Sequence, residues 1–70
     1  QGFACDREEH AVGLHCVAAC VFDEHGVPLA AISVSGPVAR IPEARLLTLG
    51  ALVRQTADEI TLQLGGQVPR

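Results

Sequence analysis

Two apolar stretches separated by a four-residue polar turn constrain this chain most, because both of their alternating faces are apolar. His15 to Phe22 and Val27 to Ser35 are rich in Val, Ala, Ile and Cys, and Asp23-Glu24-His25-Gly26 between them carries the signal of a hairpin turn. A turn that pairs Phe22 with Val27 sets Cys16 opposite Ser33, Ala18 opposite Ala31 and Leu14 opposite Ser35. Side chains along a strand alternate between faces. One face then presents Leu14, Cys16, Ala18, Cys20, Phe22, Leu29, Ala31, Ser33 and Ser35, while the other presents His15, Val17, Ala19, Val21, Ala30, Ile32 and Val34. A hairpin that is apolar on both sides must be covered on both.

The rest of the chain supplies one cover. Leu46, Leu49, Val53, Ala57, Ile60 and Leu64 recur at three- and four-residue steps, which predicts a helix from Pro42 to about Leu64 with these residues on its buried face. Pro42 suits a helix start, Gly65-Gly66 a helix stop, and Gly36-Pro37 ends the second strand. Arg54, Gln55, Asp58 and Glu59 fall on the opposite side, joined by Leu47 and Leu62. Gly50, unfavourable in a helix by about 1 kcal/mol relative to alanine, marks a point of close packing. Upstream, Gly2 to Cys5 reads as the end of a short strand and Asp6 to Gly13 as an acidic loop. The fold class is therefore α/β of the α+β kind, an antiparallel β-hairpin followed by a long C-terminal helix. The face left bare calls for more of the same domain or for a second copy of the chain.

Composition narrows the function. Seventy residues, 49% of them hydrophobic, make one small domain at most, and the longest apolar run, Cys16 to Phe22, is too short to span a bilayer. Residues 1–26 hold one arginine against five acids, the remainder four arginines against three, and there is no lysine. Neither part is the basic patch that nucleic-acid binding requires. Cys5, Cys16 and Cys20 are odd in number, two of them in an apolar run, which fits free thiols in a reducing cytoplasm.

Cys16, Ser33 and Ser35 are the polar exceptions at one end of the first face. Two hydroxyl donors and a thiol converging on a half-apolar hollow suit a small carboxylate, whose oxygens only accept. Asp6, His10, His15, Cys5, Cys16 and Cys20 include zinc-ligand types, yet their spacing matches no common zinc pattern and His15 falls on the face opposite Cys16. Cys16 as a nucleophile with His10 as base lacks an oxyanion-hole signature and a third orienting residue. The expectation is a non-enzyme with no metal and no cofactor.

Glu8-Glu9-His10-Ala11-Val12-Gly13-Leu14-His15-Cys16 (E-E-H-x-x-G-x-x-C), together with Ile32-Ser33-Val34-Ser35-Gly36-Pro37 (I-S-x-S-G-P), resembles the C-terminal part of the effector-binding domain of IclR-type bacterial transcription regulators. The likeness runs from Gly2 to about Gly65 and is greatest to the branch that controls the glyoxylate bypass. It implies a GAF-like effector domain, of which residues 1–70 are the last part, preceded by its first half and by an N-terminal winged helix-turn-helix through which operator DNA is bound. It also implies a homodimer or tetramer, a repressor role, and a pocket for a small 2-oxo acid such as glyoxylate or pyruvate. The ligand-contacting positions of the resemblance fall on Asp6, Leu14, Cys16, Ser33 and Ser35. Pro42 departs from the pattern, since many members carry Thr or Ser there as a helix cap. The alternative reading is an assembly module that binds no ligand within this segment.

Overall fold

The structure, a computed structural model, describes residues 2–9 and 11–69. Three strands form one antiparallel sheet in the order β1 (Ala4–Arg7), β2 (Leu14–Phe22), β3 (Pro28–Pro37), and helix α1 (Glu43–Gln63) follows. The central strand β2 buries every second residue, His15, Val17, Ala19 and Val21, beneath α1. These pack with Ile41, Leu46, Val53 and Ala57 as the core, against which Phe3, Cys5, Ile32, Leu49 and Ile60 are half-buried. The other sheet face carries no element of the described chain, and Leu29 on β3 is 60% exposed.

Two expectations about the sheet need correction. The register differs by two residues from the one read from the turn: Cys16 pairs with Ser35 and Ala18 with Ser33, with a bulge between Val21 and Phe22 that leaves Phe22 opposite Pro28. At the bulge the Phe22 N–H donates to the fully buried Thr61 Oγ1 at 3.0 Å, so a helix side chain satisfies a strand amide. A shift of two keeps side chains on the same face, and both face assignments therefore survive between Leu14 and Val21. Asp6 belongs to a strand, not to the acidic loop, because β1 reaches Arg7 and pairs Asp6 with Cys16. Gly36-Pro37 ends the second hairpin strand as expected, since β3 stops at Pro37, which it tolerates as an edge strand.

The buried face of α1 is Leu46, Gly50, Val53, Ala57 and Thr61, rotated from the leucine and isoleucine stripe read from period. Small residues let the helix lie close to the sheet, and the Phe3 ring occupies the space over Gly50. Leu64 sits past the last turn and is 62% exposed, while Arg54 and Asp58, placed on the polar side by period, are half-buried and paired at 3.5 Å. Pro42 is the N-cap and makes no side-chain cap bond; Glu43 supplies a first-turn acid that favours the helix N-terminus. At the other end Gly65, at φ 78°, donates to the Leu62 carbonyl and Gly66 to that of Thr61, a Schellman stop.

His15 is buried on the helix side, with Nδ1 2.7 Å from the Ile41 carbonyl oxygen. A carbonyl only accepts, so Nδ1 carries the proton. In the hairpin turn, Asp23 Oδ1 accepts the N–H groups of His25 at 2.8 Å and Val27 at 3.0 Å. These bonds, Val27 first, hold the Asp23 carboxyl below its ordinary range. A carboxyl depressed in the folded state stabilises the fold above its unfolded pKa, and that contribution is lost as pH falls through the folded value. In an NMR titration the His25 and Val27 amides are expected to share a transition whose midpoint lies below that of an ordinary aspartate. A midpoint at the ordinary aspartate value would contradict the turn geometry.

Candidate functional site

Each strand delivers part of a hollow on the uncovered sheet face, mostly apolar with a few polar groups. The register sets Asp6 on β1, Cys16 on β2 and Ser35 on β3 side by side in one row, and Ala4, Ala18 and Ser33 in the next row on the same face. Leu14 stands on the other flank, opposite Pro37 and 41% exposed. Asp6, Leu14, Cys16, Ser33 and Ser35, the five residues singled out from sequence, all line one open hollow of about 630 Å³. Cys5, Glu9, Ala11 and Ala31 complete its wall with Ala4 and Ala18. An apolar depression lined by Phe3, Ala4, Ala18, Cys20, Phe22 and Ala31 continues the same face.

Within the hollow, Ser35 Oγ donates to Cys16 Sγ at 3.7 Å. The rim is built by carboxylates bonding backbone. Asp6 Oδ1 accepts the Glu9 N–H at 2.8 Å, Glu9 Oε1 accepts that of Arg7 at 3.1 Å, and Glu8 Oε1 accepts that of Gly13 at 2.8 Å. Glu8 adopts φ 63°, an uncommon left-handed conformation for a non-glycine residue. Arg7, next to Asp6 on the strand, points to the opposite face and pairs with Glu43 at 2.8 Å, joining β1 to the start of α1. Among the described residues lining the hollow there is no cation: Cys16, Ser33 and Ser35 bring donors from β2 and β3, and two carboxylates, Asp6 and Glu9, stand on the β1 side.

Glu9 is the hollow residue that sequence reasoning left in the solvated loop. The signal was present, since an acid three residues after Asp6 has the spacing of a reciprocal cap. Of the groups weighed for metal or nucleophilic chemistry, His10 lies outside the described residues, and His15 faces the helix, away from Cys16. Among the described residues no three metal-ligating side chains gather.

Strands that set donors and carboxylates around a hollow, with a helix closing the opposite face, make up part of an α+β domain. The family described as "Bacterial transcriptional regulator IclR C-terminal" matches residues 1–62, and the chain belongs to that family. It is 54% identical over 66 residues to the transcriptional repressor IclR of Escherichia coli K12, covering 94% of this chain and 24% of that protein. It is 48% identical over 69 residues to the HTH-type transcriptional repressor AllR of Salmonella typhi, covering 99% and 25%. The chain thus spans about a quarter of the length of these relatives, which are transcriptional repressors, not enzymes. Among solved structures, a domain of an IclR-family transcriptional regulator superposes with a TM-score of 0.90 at 29% identity, covering 97% of this chain and 39% of that one. The inducer-binding domain of a PobR double mutant from Acinetobacter, in complex with 3-hydroxybenzoic acid, gives 0.77 at 26% identity, covering 87% and 35%.

Proposed function

We propose that residues 1–70 are the last part of the effector-binding domain of a transcriptional repressor, and that the hollow takes a small carboxylate effector, a 2-oxo acid such as glyoxylate or pyruvate. The carrying observation is the row of Asp6, Cys16 and Ser35 with Ser33 beside it, on one face and in one hollow. A carboxylate there finds hydroxyl and thiol donors fixed by strands. The acid held by the PobR inducer-binding domain supports a carboxylic acid as the ligand class. The HTH-type description of AllR supports operator binding through a separate N-terminal domain, and hence a cytoplasmic protein. The bare sheet face is closed by the first half of the same domain, and the regulator works as a homodimer or tetramer.

Calorimetric titration of the full-length protein with glyoxylate and pyruvate tests this. Ser33→Ala and Ser35→Ala are each expected to weaken the effector by about 1.5–3 kcal/mol, roughly ten- to hundredfold, as for a lost hydrogen bond to a charged acceptor. DNA affinity without effector should hold. Gln55→Ala, on the exposed side of α1, should change neither. Equal losses in all three variants would trace the effect to folding and overturn the reading.

A further inference from the structure

We propose that His15 is a positioning residue for the hollow, and that filling the hollow and docking the lead-in of α1, residues 41–43, are coupled through it. This inference rests on the reading of the hollow as a ligand site. Asp6, Cys16 and Ser35 form one row of the hollow, and their chain neighbours Arg7, His15 and Gly36 form the next row of the sheet. Neighbours along a strand point to opposite faces, so the second row lies on the helix side.

All three residues of that second row hold the same stretch of chain. Arg7 Nε is 2.8 Å from each carboxylate oxygen of Glu43. The buried His15 donates from Nδ1 to the Ile41 carbonyl at 2.7 Å. Gly36 leaves open the space that the Ile41 side chain fills, since a Cβ there would stand 2.9 Å from Ile41 Cδ1. The lead-in depends on these contacts, because Pro42 gives α1 no side-chain cap and the Arg40 and Ile41 N–H groups share one acceptor, the Pro37 carbonyl. A helix start of that kind frays unless tertiary contacts hold it. His15 matters most of the three: it stands on the central strand, and the carbonyl it serves is buried, whereas the pair of Arg7 with Glu43 is exposed.

Coupling follows from the shared backbone. His15 and Cys16 flank one rigid peptide unit, as do Asp6 with Arg7 and Ser35 with Gly36. A ligand bonded to groups of β2 and β3 fixes the spacing and twist of those strands. The same spacing sets how well His15 and Gly36 receive Ile41. The linkage is reciprocal, so a ligand that favours the docked lead-in binds more tightly when the lead-in is docked. His15 faces away from the hollow and acts through the strand that carries Cys16, without touching the ligand.

The test is calorimetry and hydrogen exchange on the full-length protein with glyoxylate and pyruvate. A bound acid is expected to slow exchange of the Ile41 and Arg45 amides, which donate to the Pro37 and Pro42 carbonyls, by at least about threefold, and to leave the Leu64 amide at the far end of α1 unchanged. His15→Leu removes the donor and should weaken binding by at least about fivefold. His15→Asn, whose amide can donate in place of Nδ1, should bind within about twofold of the parent. Val53→Ala opens the core at the middle of α1 and should lower the unfolding temperature without weakening the ligand. If His15→Leu does not fold, Glu43→Gln on the exposed pair serves in its place, with binding weakened roughly two- to threefold and a smaller gain in protection. Equal protection at both ends of α1, no protection at Ile41 and Arg45, parent-like binding by His15→Leu, or an equal loss of affinity in Val53→Ala overturns this inference and leaves the reading of the hollow standing. Binding of neither acid to the parent overturns both.

Discussion

Leu46→Ala is expected to remove about 3–5 kcal/mol of stability, the largest loss of any single truncation in this segment. Leu46 is the largest fully buried side chain and sits where α1 meets the sheet, in one cluster with Val17, Val53 and Ala57. Truncating a buried leucine removes its transfer free energy and adds a cavity term that grows when the surroundings cannot close in, giving about 2.7–5 kcal/mol. Here the surroundings are a strand held by neighbours on both sides, so the upper part of that range applies. Against a typical domain stability of about 5–15 kcal/mol, such a loss leaves little reserve. Urea denaturation of the full-length protein, followed on the effector domain, should show a lower midpoint with an unchanged slope. Leu47→Ala and Leu62→Ala, both well exposed on α1, should stay within about 0.5 kcal/mol of the parent. A Leu46→Ala loss below 1 kcal/mol would mean that the helix does not dock on the sheet as described.

Those contrasting leucines show what a sequence of this kind discloses. Period placed Leu46, Val53 and Ala57 inside and Leu47 and Leu62 outside, because a helix facing a sheet imprints a 3.6-residue repeat on its hydrophobic residues. Period missed Thr61, which is not hydrophobic by type, while Gly50 was legible in another way, as a costly helix residue that marks close packing. Gly50 is buried because the Phe3 ring lies on it, and Thr61 because its hydroxyl takes the Phe22 amide at the bulge. Such positions are set by partners distant in sequence. The hairpin faces were legible from alternation alone, whereas the register was not: the loop is one residue longer than the turn suggests, setting Phe22 opposite Pro28, and a bulge bonded to a helix side chain 39 residues away adds the second residue.

The candidate site divides the same way. Cys16, Ser33 and Ser35 were readable as polar exceptions on an apolar face, and the two-residue register error did not separate them because faces repeat every two residues. Asp6 was named through the family likeness alone: β1 is four residues long, too short for a periodic signal, and its pairing with Cys16 is a long-range contact. Glu9 enters the hollow through a turn that Asp6 itself caps.

Gly50→Leu is the second substitution with a large expected effect, and it runs against helix propensity. In an isolated helix leucine is better than glycine by up to about 1 kcal/mol, so an exposed Gly50 would gain from the change. In this fold a Cβ at position 50 would fall on the Phe3 ring, and a whole leucine must displace that ring from its seat between β1 and α1. Overpacking on this scale costs about 3 kcal/mol, which outweighs the propensity gain. The mechanism is separable by a double-mutant cycle. With Phe3→Ala the seat empties, and Gly50→Ala in that background is expected to stabilise by about 0.5–1 kcal/mol while destabilising the parent, a reversal of sign that helix propensity alone cannot give. Thermal or urea unfolding of the four full-length proteins reads it directly. If Gly50→Ala stabilises with Phe3 in place, the ring does not rest on the helix. β1, with Asp6 on it, would then lose one of its holds on α1 and keep its ladder to β2, the packing of Cys5 on the core and the exposed pair of Arg7 with Glu43.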